Sequence, residues 1–265
     1  MAIEIAFDKI ADVYDAHRGH PSEVAIAIGQ AIVSQTGIDA QVLEIGIGSG
    51  RIALPTAAAG AQITGIDIST AMLATARERA AQAGVSLRLL KADAQTLPFA
   101  TASFDAALAV HVLHLLSDWR TALAEMVRVV KPGVIIQGVD WRDPASCVGL
   151  LRGQLRQAVM DRLPGARPPG AGAAVTQHLA KLGAPAGEPI TAARWERAIS
   201  PAEVIAGMAA RIDAETWALS DEILAAAIEH VQAWASQQWP DLNEPQLVEH
   251  RFLLTVSRTS TATPA

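Results

Sequence analysis

The feature that most constrains this chain is an alternation. Between residues 40 and 141, apolar β-rich runs and helical stretches take turns. AQVLEIGIG precedes RIALPTAAAG, and AQITGIDIS precedes STAMLATARERAAQAG, which Ser69 or Thr70 starts and Gly84 stops. VSLRLLKAD and FDAALAVHVLHLL come next, then the helical DWRTALAEMVRVV, halted by Lys131-Pro132-Gly133, then VIIQGVDW. Short apolar runs bounded by glycine read as strands buried on both faces. Strand–helix–strand repetition calls for crossovers that leave the strands parallel. The expected fold class is α/β, with a doubly wound, mainly parallel sheet.

The flanks are different. Residues 22–35, SEVAIAIGQAIVSQ, have helical spacing, with Ser22 at the N-cap position. Residues 142–189 are rich in Pro, Gly, Ala and Arg, and RLPGARPPGAGAA reads as an exposed connection between helices. ITAARWERAIS fits a sixth strand, and SPAEVIAGMAARI a helix capped by Ser200 with Pro201 in its first turn. SDEILAAAIEHVQAWASQQW is a further helix opened at Ser220, and HRFLLTVSR a closing strand, giving seven strands in one sheet.

Composition narrows the function classes. Of 265 residues, 51% are apolar, enough for a substantial core. A net charge of −6 and a pI near 5.6 argue against a duplex-binding surface, which needs clustered Lys and Arg. Nucleic acid is therefore not an expected partner. The single cysteine, Cys147, has no disulfide or metal-ligand companion and reads as a core residue. His17 and His20 flank Arg18 without an acidic cluster, so no metal site is expected. No apolar run approaches the ~20 residues of a membrane helix, and no basic segment precedes an apolar one near Met1. A soluble cytoplasmic protein with no membrane partner is the expectation.

The chemistry concentrates in VLEIGIGSGR, Val42 to Arg51. Glycine lets a backbone approach a ligand without a Cβ in the way, and ligands of open α/β sheets sit beyond the carboxyl ends of the strands. A nicotinamide fingerprint would want its third glycine where Arg51 stands, and a phosphate loop would want Gly-Lys-Ser/Thr, which is absent. Glu44 followed by Gly46, Gly48 and Gly50 instead resembles the first motif of class I S-adenosylmethionine-dependent methyltransferases. Asp67 ends the second strand 21 residues after Gly46, where a carboxylate can accept hydrogen bonds from both ribose hydroxyls of a nucleoside. Asp93 ends the third strand; in the resembled family an acid there meets the adenine amino group, and the next amide, that of Ala94, meets a ring nitrogen. Leu97-Pro98-Phe99, Ser103-Phe104-Asp105 and Lys131-Pro132-Gly133 also match that family's spacing. The resemblance spans residues 40–140 and is closest to the type 11 branch, which includes ubiquinone and menaquinone biosynthesis methyltransferases.

The resemblance implies a Rossmann-like fold with helical lid additions and S-adenosyl-L-methionine as cofactor. The expected organisation is N-terminal lid helices (1–36), the cofactor-binding core (37–141), helical additions with the sixth strand (142–249), a final strand (250–258) and a flexible tail (259–265). The resemblance assigns cofactor contacts to Glu44, Gly46, Gly48, Gly50, Asp67, Ile68, Asp93, Ala94 and His111. FDKIADVYDAHR agrees with that branch's opening, which makes Tyr14 and Arg18 residues that close over the cofactor. Methyl transfer is an in-line displacement, so the protein's main task is alignment, with His the usual base where the acceptor must lose a proton. His111 and His114, at and just after the end of the fourth strand, are the catalytic candidates; backbone hydrogen bonding is the alternative for each. Asp118 reads as a helix start, Asp140, Trp141 and Arg142 as acceptor-pocket candidates, and Trp195, Trp217, Trp234 and Trp239 as core or cap packing. The expected function is methyl transfer to a small-molecule acceptor. The alternatives are a non-catalytic S-adenosylmethionine-binding protein and a nicotinamide oxidoreductase, the latter weakened by Tyr14 being the only tyrosine.

Overall fold

The computed structural model describes residues 19–163, 172–212, 214–217 and 219–259. Helix α1 (Ser22–Thr36) leads into β1 (Gln41–Ile45), α2 (Ala53–Ala58), β2 (Gln62–Asp67), α3 (Thr70–Ala83) and β3 (Leu87–Lys91). Next come β4 (Phe104–Val110), a 3-10 turn (Leu113–Leu115), α4 (Trp119–Val129) and β5 (Val130–Arg142). The remainder is α5 (Cys147–Arg162), α6 (Gly172–Lys181), β6 (Ile190–Ile199), α7 (Pro201–Ala209), α8 (Ala214–Trp217), α9 (Asp221–Gln238) and β7 (Gln246–Arg258).

The seven strands form one sheet in the order β3-β2-β1-β4-β5-β7-β6. β1 runs parallel to both β2 and β4, and β3 and β5 continue the parallel pairing outward. Strand order therefore reverses between β1 and β4, which puts the switch point at the glycine-rich end of β1.

The chain divides into two compact units. The first holds residues 19–139, 172–193 and 252–259 of the described chain. Alternation along the strands puts Leu43, Ala107 and Ile135 in one buried cluster with Leu123 and Met126 of α4 and Leu179 of α6. Each large side chain buried there contributes about 1.5–3 kcal/mol. Elsewhere in the sheet, Gly65 of β2 is a required glycine. A Cβ on it would lie 2.0 Å from Cδ1 of Ile47, which occupies that space.

The second unit holds residues 140–163, 194–212, 214–217 and 219–251 of the described chain. Its core gathers Leu151 and Leu155 from α5, Met208 from α7 and Val231 from α9, with Cys147 buried among them. Its helix starts are tied down. Ser146 accepts from the Gly149 N–H, Ser220 from the Ile223 N–H, and Ser200 and Glu203 form a reciprocal capping box.

Three local expectations change. Ser22 lies inside α1 and caps nothing; Pro21 holds the N-cap position without a side-chain bond. Helix α2 begins at Ala53 rather than Arg51, so Arg51 and Ile52 belong to the turn. Lys131-Pro132-Gly133 is not a loop that halts a helix: α4 ends at Val129 and the three residues open β5. Their company explains the motif. Asp105 on β4 accepts from the Lys131 ammonium at 2.8 Å and from the Gln41 N–H of β1 at 2.8 Å. Gly133 must be glycine because a Cβ would stand 2.2 Å from the Asp105 carbonyl oxygen. Those bonds, the Lys131 contact first, hold the Asp105 carboxyl below its usual range.

Candidate functional site

A cleft opens at the carboxyl ends of β1, β2 and β4, the place where ligands of open α/β sheets bind. Of the residues singled out from the sequence, Glu44, Gly46, Gly48, Asp67, Ile68, Ala94 and His111 line it together. Gly46 and Gly48 have φ of +64° and +55°, the left-handed region that glycine enters at no steric cost. They serve different ends. A Cβ on Gly46 would meet Cγ2 of Val112 at 2.3 Å, whereas a Cβ on Gly48 would meet no protein atom within 4 Å. Gly46 is thus fixed by packing, and Gly48 by the open space beside it.

Asp67 is aimed by the backbone. Its Oδ2 accepts the Gly48 N–H at 2.9 Å and its Oδ1 the Ser69 N–H at 2.9 Å. Capping of α3 falls to Ser69, whose hydroxyl accepts the Met72 N–H at 3.1 Å. Asp67 is therefore not the cap, and its carboxylate stands against the glycine turn.

Glu44 is the electrostatic anomaly of the cleft. It is 2% exposed, and its Oε2 has no hydrogen-bond partner. Burial pushes its carboxyl up to about 8; Arg51 lowers it and Asp67 adds to the rise, both through charge. Arg51, a cleft residue that motif matching passed over, has Nη1 3.0 Å from Nε2 of His20. His20 in turn meets Phe252 edge-on, with ring centroids 5.4 Å apart.

At the end of β4, His111 lines the cleft with φ of +51°, a conformation that costs a non-glycine residue on the order of 1 kcal/mol. His114 sits in the following 3-10 turn and is not a lining residue, although Leu115 and Leu116 beside it are. Asp93 is exposed and accepts the Gln95 N–H at 2.8 Å; its neighbours Ala92 and Ala94 line the cleft and Asp93 does not. Gly50 lies behind the turn, its missing Cβ 3.4 Å from Cγ of Leu54. Tyr14 and Arg18 lie outside the described residues. Sequence reasoning also missed Ile47, Met72, Leu115 and Leu116, apolar lining residues with no signal to set them apart from core.

Asp118 starts α4 as expected, accepting the Arg120 and Thr121 N–H groups. The tryptophans are occupied in packing. Trp195 stacks on His250, Trp234 meets Trp239 edge-on, Trp217 Nε1–H donates to the Arg211 carbonyl, and the Arg251 guanidinium lies 4.5 Å over the Trp141 ring. Among the described residues, no three His, Cys, Asp or Glu side chains gather as a metal group would require. None of the described helices is long and apolar enough to cross a membrane.

These features agree with the comparisons to known proteins. Residues 43–137 match the family described as "Methyltransferase domain". An uncharacterised protein of Mycobacterium tuberculosis, Rv1405c, is 36% identical over 121 residues, covering 45% of this chain and 44% of that protein. Demethylmenaquinone methyltransferase of Thermus thermophilus is 38% identical over 95 residues, 35% of this chain and 43% of that enzyme. The matched stretch is thus less than half the length of either relative. In fold, the chain is similar to the YcgJ protein of Bacillus subtilis, with a TM-score of 0.58 at 19% identity, covering 89% of this chain and 99% of that one. The acid on β1, the glycine turn and the carboxylate on β2 all fall within the matched residues, so this part of the chain is similar to methyltransferase domains.

Proposed function

We propose that the chain transfers a methyl group from S-adenosylmethionine to a small-molecule acceptor. The observation that carries the reading is the anchoring of Asp67 by the Gly48 amide at 2.9 Å, which fixes a carboxylate at the lip of an open glycine turn. The residues suit the cofactor. The space beside Gly48 takes the methionine portion, Asp67 receives the ribose hydroxyls, and the apolar surfaces of Ile68, Ala94 and Leu116 suit a flat base. Asp93 with the Ala94 amide reads the adenine edge, Gly50 supports the turn from behind, and Tyr14 and Arg18 close the site. When bound, the cofactor supplies an electrophilic methyl group on a positively charged sulfur. The protein's share is to align the acceptor and exclude water. His111 contacts the methionine portion or the acceptor, and His114 accepts the acceptor's proton where one must leave.

Calorimetry with S-adenosylmethionine, S-adenosylhomocysteine and NADH tests the core of this reading: both sulfur nucleosides bind and NADH does not. Failure of both to bind overturns it. His114→Ala is expected to slow turnover at least tenfold while changing cofactor affinity less than twofold. A second reading, cofactor binding without methyl transfer, is favoured by one observation, the absence of His114 from the cleft lining. Release of labelled methyl into a metabolite extract separates the two.

A further inference from the structure

Among the described residues, Glu44 and Asp67 are the two carboxylates that line the cleft, and they differ in state. Asp67 is satisfied by two backbone N–H groups. Glu44, one residue before the end of β1, is almost fully buried, with Oε2 exposed to no donor, in a place where an unpaired carboxylate is costly. Its cross-strand neighbours, Leu108 and Gly65, bring no polar side chain. The charged and titratable groups that face this corner are Arg51 in the turn, Asp67 from β2 and His111 from the end of β4. Behind them, His20 meets Arg51, and Arg79 of α3 holds the Ser49 hydroxyl at 3.2 Å.

We propose that Glu44 couples ligand binding to proton release: its O–H bond breaks, the proton passes to solvent, and the carboxylate so formed pairs with the ammonium group of the cofactor's methionine portion. This rests on the reading of the cleft as an S-adenosylmethionine site. The geometry supplies the reason. A neutral carboxyl tolerates the buried corner of the ligand-free protein, and an incoming cation makes the charged form the better one. The direction of the Glu44 shift agrees, since burial favours its protonated form. Binding and ionisation then become one equilibrium, and affinity rises with pH while Glu44 begins protonated.

The test is calorimetric titration of the full chain with S-adenosylmethionine at pH 6.5, in buffers of different ionisation enthalpy. Close to one proton released per cofactor is expected, with affinity increasing nearly tenfold from pH 6 to pH 7. 5′-Methylthioadenosine, which lacks the ammonium group, is expected to bind without release. In Glu44→Gln, release disappears and affinity no longer depends on pH in this range. Cofactor binding with no proton released by the unaltered protein overturns the proposal. So does release that persists in Glu44→Gln, which would assign the proton to His20 or His111. No binding at all would instead overturn the methyltransferase reading, so the two failures are distinct.

Discussion

The strand-end loops around β1 and β2 and the helical second unit, residues 140–163 and 194–251 less the undescribed 213 and 218, place their polar side chains differently. In the helical unit, charges are matched within the protein. Glu215 is bracketed by Arg152 and Arg156, Arg211 reaches Asp221 and two backbone carbonyls, and Glu249 holds Arg194 and Arg251. Its serines cap helices. In the strand-end loops, a carboxyl oxygen is buried without a donor, a glycine borders empty space, and a histidine takes a left-handed backbone. The helical unit carries comparable costs, at Glu215 Oε2, which lacks a hydrogen bond, and at Arg211, with φ of +56°; those of the strand-end loops differ in lining a cleft that a ligand could fill.

That contrast can be broken at four points. Asp67→Ala should have the largest effect, lowering affinity for S-adenosylmethionine roughly a thousandfold, because it removes a charged acceptor and frees the Gly48 amide it orients. Calorimetry on a variant whose circular dichroism is unchanged checks it; unaltered affinity would mean the ribose lies elsewhere. Glu44→Gln comes next and should stabilise the ligand-free protein. With the folded-state carboxyl raised to about 8 from an ordinary 4.5, the neutral form's advantage is complete below pH 4.5 and is lost as pH rises toward 8. The variant's gain in unfolding free energy over the unaltered chain, read from denaturant titrations at each pH, should therefore grow across that window and level off above it, reaching roughly a few kcal/mol. A gain independent of pH would remove the burial cost from the account.

Gly48→Ala should separate binding from folding. Its left-handed φ costs an alanine about 1 kcal/mol, whereas the new methyl enters the cleft and should reduce cofactor affinity at least about tenfold. Equal affinities would show that the space beside Gly48 is unused. The smallest change is expected in the other region. Ser200→Ala removes half of a capping box and should lower stability by about 1 kcal/mol, a drop of roughly 2–4 °C in Tm, with cofactor affinity untouched.

Much of the sheet was legible because its signals are local. Buried parallel strands are short apolar runs, and Ser69, Asp118, Ser200 and Ser220 each announce a helix through a side chain that bonds a nearby amide. Ser22 misled because its hydroxyl can serve as a cap without doing so, and nothing in the sequence distinguishes the two. Lys131-Pro132-Gly133 misled for another reason: its meaning lies in Asp105, 26 residues away, and in the close approach of two strands. Within the cleft, glycines and strand-end acids were readable from spacing. Arg51 was not, since its neighbour His20 comes from a segment 31 residues earlier. Unpartnered Oε2 on Glu44 was also invisible, because burial is a property of the assembled sheet.

Ile47 fills the volume that a side chain at position 65 would need, standing 2.0 Å from where a Cβ on Gly65 would be. The two positions therefore share one allowance of space, and neither can drift alone. A substitution that enlarges residue 65 becomes tolerable only after residue 47 shrinks, whereas a smaller residue 47 by itself leaves a void next to β2. Over evolutionary time such a pair changes in a fixed sequence of steps. Sequences of this lineage should show correlated replacement at these two sites, with large residues at both excluded.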